Sequence, residues 1–396
     1  MTETGPVAPV VGVIGGGQLA RMLAEAAAPL GITIKGLAAA NDEGASDIVV
    51  DVLSGAPDDR DAIRRLAAIV DVVTIDHENV DWQTLAELES EGVAVWPSVE
   101  TLRLSDKAHQ RRTFAEMGLP VPPFAVVSVG QGSADDRAGA LDQSLTFLTE
   151  HGNSDGRIVA KASRGGYDGR GVWILDAAEL PAFIDDYQGA PLVLEPLLDL
   201  ELELAVLAAR NPSGETRVWP VVETVQVDGM CDEVIMPAQV PEALAQQAIA
   251  LGREVLERTG SVGVLAVELF VSGGELLINE IAPRVHNSGH VTIEANQTSQ
   301  FEQHLRAVLD WPLGPTECVA PAAVMHNVVG DTSDPRANQA AGLAIFPGAH
   351  VHLYGKTPRP ARKLGHVTVM GEDVETCRTT AEAVAAALTA QAKGSR

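Results

Sequence analysis

Residues 10–96 repeat one pattern: an apolar run, a stretch with helical spacing, then another apolar run. The runs are VVGVI, GITIKGL, DIVV, DVVTID and GVAVW, with ARMLAEAAAPL and DDRDAIRRLAAI between the earlier ones. Near-continuous apolar strands joined by helices predict parallel pairing, because parallel neighbours need a long crossover and the crossover helices cover both faces of the sheet. Right-handed crossovers then leave an open parallel α/β, Rossmann-like sheet as the expected fold of this region. Trp96-Pro97-Ser98 marks its exit, and one helix is expected over SVETLRLSDKAHQRRTFAEMG, ending at Gly118 before the prolines of LPVPP.

The first strand runs into Gly15-Gly16-Gly17-Gln18-Leu19-Ala20, which satisfies the loose G-x-G-x-x-(G/A) fingerprint of dinucleotide sites. That fingerprint also wants an acidic residue at the end of the second strand. Here ITIKGLAAA ends without one, and Asp42 comes late. The turn alone leaves its ligand open.

From about residue 120 to 315 the strands lengthen and hairpin signals enter: RIVAKA, GVWILD, PLVLE, ELELAVLAAR, RVWPVVETVQ, VGVLAVELFV and GELLINEIA, interrupted by the helical PEALAQQAIALGREVLERTG. An α+β domain on antiparallel sheet is expected. After WPLGP the chain is again strand-like through GLAIFPGAHVHLYGK and KLGHVTVMG, and TAEAVAAALTAQ closes it as a helix, with a frayed AKGSR tail. The expected domains are 1–104, 105–315 with a glycine-rich lid, and a small β-rich 316–396.

At 396 residues the chain exceeds what one hydrophobic core serves. Acidic residues outnumber basic ones 54 to 28, a formal charge of −26, so its surface is unsuited to tracking nucleic acid or anionic lipid, and anionic substrates must meet local positive clusters. Cys231, Cys318 and Cys377 are odd in number and far apart, which fits neither a disulfide framework nor a Cys-x-x-Cys metal site. With an acidic N-terminus MTETGPVAP and no apolar run near the roughly 18 residues of a membrane span, a cytoplasmic protein is expected.

Lysine is scarce: Lys35, Lys107, Lys161, Lys356, Lys363 and Lys393 are the only six. One of them, Lys161, enters VAKASRGGYDGRGVWIL, where two strands flank Gly165, Gly166, Gly169 and Gly171 interleaved with Arg164, Tyr167, Asp168 and Arg170. A loop so rich in glycine exposes amides and moves easily, which suits closure over phosphate oxygens. An ordinary mobile hairpin would explain the glycines but not the basic side chains. No Gly-Lys-(Ser/Thr) precedes a helix, so this is not a Walker A loop.

In VLAVELFVSGGELLINEIAPRVHNSGH, a three-residue loop centred on 273–275 would set Glu268 directly across from Glu280. Cross-strand partners share a face about 4.5–5.5 Å apart at Cβ, and two carboxylates so close call for a cation. An all-oxygen site favours magnesium that also binds substrate phosphates. Asn279 adds an oxygen only if its strand is bulged, since its neighbouring position otherwise points it to the other face. The alternative, two glutamates on a solvated face, sits poorly with their apolar flanks. Arg284, His286 and Asn287 follow at once, a fork and two polar groups suited to a small oxyanion. YGKTPRPARKLGH gathers Lys356, Arg359, Arg362 and Lys363 into a positive patch, either a phosphate clamp or a solvated turn.

Together GGGQLARM, GGYDGRG, AVELF, INEIAPRVHNSGH and ARKLGH resemble the ATP-grasp enzymes that make 5-(carboxyamino)imidazole ribonucleotide in purine biosynthesis, over nearly the whole chain. The resemblance implies an ATP-grasp fold and the use of ATP, bicarbonate and aminoimidazole ribonucleotide, with magnesium, or manganese in its place, and release of ADP and phosphate. It implies ATP contacts from Lys107, Lys161, the lid residues Gly166, Tyr167, Asp168, Gly169, Arg170, Gly171 and Val172, and from Gln226, Asn279 and Glu280. Glu195, Pro196, Leu197 and Leu198 would frame adenine and Glu203 would meet the ribose. Glu268 and Glu280 would bind the metal; Arg284, His286 and Asn287 would hold carboxyphosphate. Gly17, Gln18, Leu19, Lys356 and Arg362 would bind the ribonucleotide, helped by Tyr167, Asp168 and Arg170. Relatives imply a homodimer. Ala20 stands where that family usually has Gly, Ala361 likewise, and Gln226 where relatives often carry His; the first two would remove backbone freedom. Another ATP-grasp ligase, a nicotinamide-dependent oxidoreductase and a non-catalytic nucleotide sensor are the rival readings. The oxidoreductase leaves the paired glutamates idle.

Overall fold

The computed structural model describes residues 8–39, 44–49, 51–129, 134–166, 169–330 and 333–390. Strands β1 (Val10–Ile14), β2 (Thr33–Ala38), β3 (Asp51–Ser54) and β4 (Val72–Ile75) form a parallel sheet in the order β3-β2-β1-β4. The third strand therefore begins at Asp51, after the DIVV run, whose Asp47 ends a short helical turn. The fifth expected strand, GVAVW, is reduced to one parallel bridge between Val73 and Val95. The single helix expected after Trp96 is two, Val99–Arg103 and Lys107–Glu116. Asp106 breaks it: its carboxylate accepts from Ala108 N at 3.0 Å and His109 N at 3.2 Å, a cap that starts a new helix with Lys107 as its first residue.

Strands β5 (Ala125–Val127), β6 (Arg157–Ala162), β7 (Val172–Asp176) and β8 (Leu192–Pro196) make a separate antiparallel sheet, order β5-β8-β6-β7. Its inner face buries Ile158, Ala160, Leu175, Leu192 and Leu194 against the helices Ala134–His151 and Leu180–Asp186. The rest of the chain builds one nine-stranded sheet from β9 (Leu202–Arg210), β10 (Thr216–Val218), β11 (Val222–Val227), β12 (Met230–Met236), β13 (Gly263–Ser272), β14 (Glu275–Ala282), β15 (Ala322–Gly330), β16 (His350–Leu353) and β17 (Arg362–Gly371). The expected single run RVWPVVETVQ is two strands, parted at Trp219 and Pro220, and the segment GLAIF, expected as strand-like, ends the helix Gln339–Ile345. The last three strands continue the central sheet through β12 and β15.

One apolar cluster ties the pieces together. Leu19, Met22 and Leu23 of the helix Gln18–Leu30 pack with Trp219 between β10 and β11, Val264 of β13, Phe301 and Leu305 of the helix Gln300–Val308, and Tyr354 beyond β16. Removing such side chains from water at about 25 cal/mol per Å² is what holds the first and last domains against the middle one. The cleft edges are thereby set relative to one another.

Candidate active site

The β13–β14 hairpin sets the floor of the cleft. Ser272 pairs with Glu275 across a two-residue Gly273-Gly274 turn with φ of 59° and 74°, the left-handed geometry that only glycine adopts cheaply. A two-residue turn would place Asn279, not Glu280, opposite Glu268. The register slips by one between Glu268 and Leu269, which face Glu280 and Ile278, so Asn279 is a bulged extra residue. The expected pairing of Glu268 with Glu280 is present, but by a short turn plus a bulge in place of a three-residue loop. The bulge also swings Asn279 to the carboxylate side, where its Nδ2 lies 3.5 Å from Glu268 Oε2 and its Oδ1 accepts from Lys161 Nζ at 2.9 Å.

Opposite the floor stands the second sheet. Register puts Lys161, Val172, Val159, Ile174 and Glu195 on one face of β6, β7 and β8. Glu195 is 2% exposed and gripped between Lys161 Nζ at 2.7 Å and Arg111 Nε at 2.5 Å. Burial would raise this carboxyl, yet the charges and hydrogen bonds of Lys161 and Arg111 overcome it and hold it down at about 2. Arg111 Nη2 also donates to the Asn279 carbonyl at 2.5 Å, tying the two walls together. Lys107 pairs with Glu280, and burial lowers its ammonium to about 8, with Lys161 pushing the same way.

Glu203, Glu268 and Phe270 share the floor's face, since Phe270 pairs with Glu203 and lies two residues beyond Glu268. Burial, then the Glu268 charge, raises Glu203 to about 7, and burial raises Glu268 despite the cations around it. Lys161 Nζ stands 5.5 Å from the Phe270 ring centre. Val172 and Ile174 are 41% and 49% exposed here, an apolar wall in an otherwise charged cleft. Val172 is among the expected ATP contacts; Ile174 is not, although the in-out alternation of VWILD places it on the same face.

Beyond the floor, Arg284 Nε lies 2.9 Å from Glu78 Oε1, an ion pair with the first domain. His286 Nδ1 accepts from Ser288 N at 3.3 Å and its Nε2 lies 3.3 Å from Glu268 Oε1, which assigns the proton to Nε2. Burial drives this imidazole down to about 3, so it is neutral at pH 7. Gln300 clamps its backbone, accepting from His286 N at 2.8 Å and donating to His286 O at 2.7 Å. Asn287 exchanges two amide hydrogen bonds with Asn327 of β15, at 3.0 and 2.9 Å. The Lys363 charge acts on both Glu268 and His286, favouring the Glu268 carboxylate and disfavouring a charged His286.

The glycine turn meets the patch. Lys356 Nζ donates to Gln18 Oε1, 338 residues away in the chain. Arg362 Nη1 donates to Thr357 O at 2.9 Å. The amides at the start of the Gln18–Leu30 helix are taken by Asp76, whose carboxylate accepts from Gly17 N at 2.5 Å and Ala20 N at 3.3 Å. A Cβ on Gly17 would stand 2.5 Å from Asp76 Oδ2, so the glycines fit an internal carboxylate, and a dinucleotide pyrophosphate has no place there. Leu19 turns its side chain into the core. In the lid, Gly169 at φ 75° packs against Asp228 and Gly229 of the β11–β12 turn, the hairpin whose first strand carries Gln226; Arg170 is exposed, and Tyr167 and Asp168 lie outside the described residues. Pro196 ends β8, and Leu197 and Leu198 follow it half-buried, while Gly166 and Gly171 meet each other's backbone across the loop.

Two carboxylates face to face with an amide oxygen beside them form a donor set that fits a hard divalent ion shared with phosphates, and a lysine ammonium already pairs with one of the carboxylates. Comparison with known proteins decides the family. Residues 9–106 match the ribonucleotide synthetase preATP-grasp domain, 112–301 the ATP-grasp domain, and 323–380 the phosphoribosylaminoimidazole carboxylase C-terminal domain. The N5-carboxyaminoimidazole ribonucleotide synthase of Mycobacterium leprae is 44% identical over 380 residues, covering 93% of this chain and 85% of the relative. That of Corynebacterium ammoniagenes is 42% identical over 386 residues, covering 94% and 90%. The chain belongs to the N5-carboxyaminoimidazole ribonucleotide synthase family of ATP-grasp ligases.

Among solved members, the Aspergillus clavatus enzyme in complex with ADP and 5-aminoimidazole ribonucleotide superposes with a TM-score of 0.84 at 32% identity, over 96% of this chain and 98% of that one. The Thermus thermophilus member gives 0.83 at 33%, over 97% and 100%. Against the family's usual glycines, Ala20 costs nothing, because it lies inside the Gln18–Leu30 helix and packs in the core; the expectation that it removes needed freedom is corrected. Ala361 differs. Its φ is 58°, where an alanine is strained and a glycine is not.

Proposed function

We propose that this chain carboxylates the exocyclic amine of 5-aminoimidazole ribonucleotide with bicarbonate and ATP, releasing ADP and phosphate, in purine biosynthesis. The observation that carries the reading is the opposed pair Glu268 and Glu280 with Asn279 bulged beside them, facing Lys107 and Lys161 across one cleft. Bicarbonate and ATP are both anions, so bringing them together requires positive charge in a water-poor site. Lys107 and Lys161 would take phosphate oxygens. Glu268 and Glu280 would hold magnesium, which when bound neutralises the triphosphate and orients its terminal phosphoryl group.

A bicarbonate oxygen would attack the γ-phosphorus as the bond to ADP breaks, giving carboxyphosphate. Arg284, neutral His286 donating from Nε2, and Asn287 would steady this anion. Its breakdown yields carbon dioxide and phosphate; the amine nitrogen adds to the carbon and gives up one proton to the departing phosphate. Val172, Ile174 and Phe270 offer apolar surface to the purine of ATP, with Glu203 toward its ribose. Lys356, Gln18 and Arg362 would hold the ribonucleotide where the first and last domains meet. The homodimer implied by the resemblance is part of the same proposal. The test is a coupled ADP-release assay: turnover is expected only with both bicarbonate and aminoimidazole ribonucleotide present, and turnover to the same product in bicarbonate-free buffer would overturn the reading.

A further inference from the structure

We infer that Lys107 holds the place of the metal until nucleotide arrives, so that the divalent cation enters bound to the triphosphate and not ahead of it. This rests on the metal assignment of Glu268 and Glu280 above and adds an order of binding to it.

Lys107 is held in position from both ends. As first residue of its helix it follows the Asp106 cap, its amide donates to Ser163 O at 2.9 Å, and its ammonium pairs with Glu280 Oε2. Because Glu268 sits directly opposite Glu280, a cation on one carboxylate lies beside the other. The remaining donors are engaged: Asn279 Oδ1 by Lys161 at 2.9 Å, and Glu268 Oε1 lies 3.3 Å from His286 Nε2. Among the described residues no group of three or more His, Cys, Asp or Glu could hold a metal ion.

A magnesium-like ion wants about six oxygens and sheds water reluctantly, so two carboxylates shared with a lysine are a poor site for it alone. Repulsion adds to this. A unit charge about 6 Å from a divalent ion weakens its binding roughly tenfold even at the dielectric constant of water. Arriving phosphates change the exchange: Lys107 trades a carboxylate for a phosphate oxygen, staying paired, while the ion that travels with the triphosphate takes over Glu280. The lysine thus selects the metal–nucleotide complex over the free metal.

The experiment titrates Mn2+ into the nucleotide-free full chain and reads free Mn2+ by electron paramagnetic resonance. Lys107→Met, which keeps the length and removes the charge, is expected to bind Mn2+ at least about tenfold tighter than wild type, and Lys107→Arg to match wild type. Unchanged or weaker binding by Lys107→Met, or tightening by Lys107→Arg, overturns the inference. Should the Met variant fold poorly by circular dichroism, Lys107→Gln carries the same expectation. A parallel titration with ADP present keeps the two readings apart. Mn2+ uptake that Glu280→Gln abolishes supports the metal assignment whatever Lys107 does; uptake insensitive to Glu280→Gln overturns that assignment and the inference with it.

Discussion

Replacing Glu195 by Gln removes the one negative charge between two buried cations, Lys161 and Arg111. The size of the effect follows from two routes. Glu195 drops from an ordinary 4.5 to about 2 in the fold, a linkage contribution of about 3 kcal/mol at neutral pH. Breaking a buried pair by deleting one partner costs about 3–5 kcal/mol. The lower figure is expected, because Lys161 keeps Asn279 Oδ1 and Arg111 keeps the Asn279 carbonyl. At roughly 2–4 °C per kcal/mol for a domain of this size, Tm should fall by about 6–12 °C, alongside an equivalent loss in urea unfolding at pH 7. The sign with pH is fixed: a carboxyl depressed on folding stabilises fully above its unfolded value and loses that contribution as pH falls through the folded one. The gap between wild type and Glu195→Gln should therefore stay constant from pH 8 to 5 and narrow only below about 4.5. A loss under about 1 kcal/mol at pH 7, or a gap that closes between pH 7 and 5, would refute the claim that this carboxylate is a desolvated counter-ion.

Ala361→Gly relieves a left-handed backbone and should raise the urea unfolding midpoint by an amount worth about 0.5–1 kcal/mol; a lower midpoint would show that Ala361 makes a contact worth more than its strain. Gln300→Leu leaves His286 N and O without their partner, at about 1–3 kcal/mol for each buried group. Because Gln300 touches the His286 loop and not the lysine wall, kcat should fall while calorimetric ADP affinity stays the same; equal losses in both would mean a general collapse of the cleft.

Local periodicity decided much from sequence. The strand–helix alternation of the first domain, the lid glycines between β6 and β7, and the hairpin that pairs the strands of Glu268 and Glu280 follow from patterns of two to a dozen residues, the range over which backbone sterics and side-chain alternation act. The misplacements lie where neighbouring segments compete. DIVV is as apolar as a strand, but pairing with β2 is taken by the next four residues, and Asp106 ends one helix by offering its carboxylate to the amides of another. Even the Glu268–Glu280 facing came by a different route, since nothing in SGGELLINE announces the bulge at Asn279 that shifts the register.

Tertiary structure alone decided which distant groups meet. Asp76 reaches the Gly17 amide across 59 residues, Lys356 reaches Gln18 across 338, and Lys107 arrives at Glu280 because a helix cap aims it there. No short-range signal encodes such meetings. The Lys356–Gln18 meeting results from burying one shared apolar cluster among three domains, while Asp76 reaches Gly17 because β4 lies beside β1, and Lys107 reaches Glu280 within the middle domain. Sequence by itself thus determined the kinds of chemical group and their local facing. Packing determined which of those groups neutralise one another, and hence their charge states, because a carboxylate's neighbours and burial are properties of the folded chain.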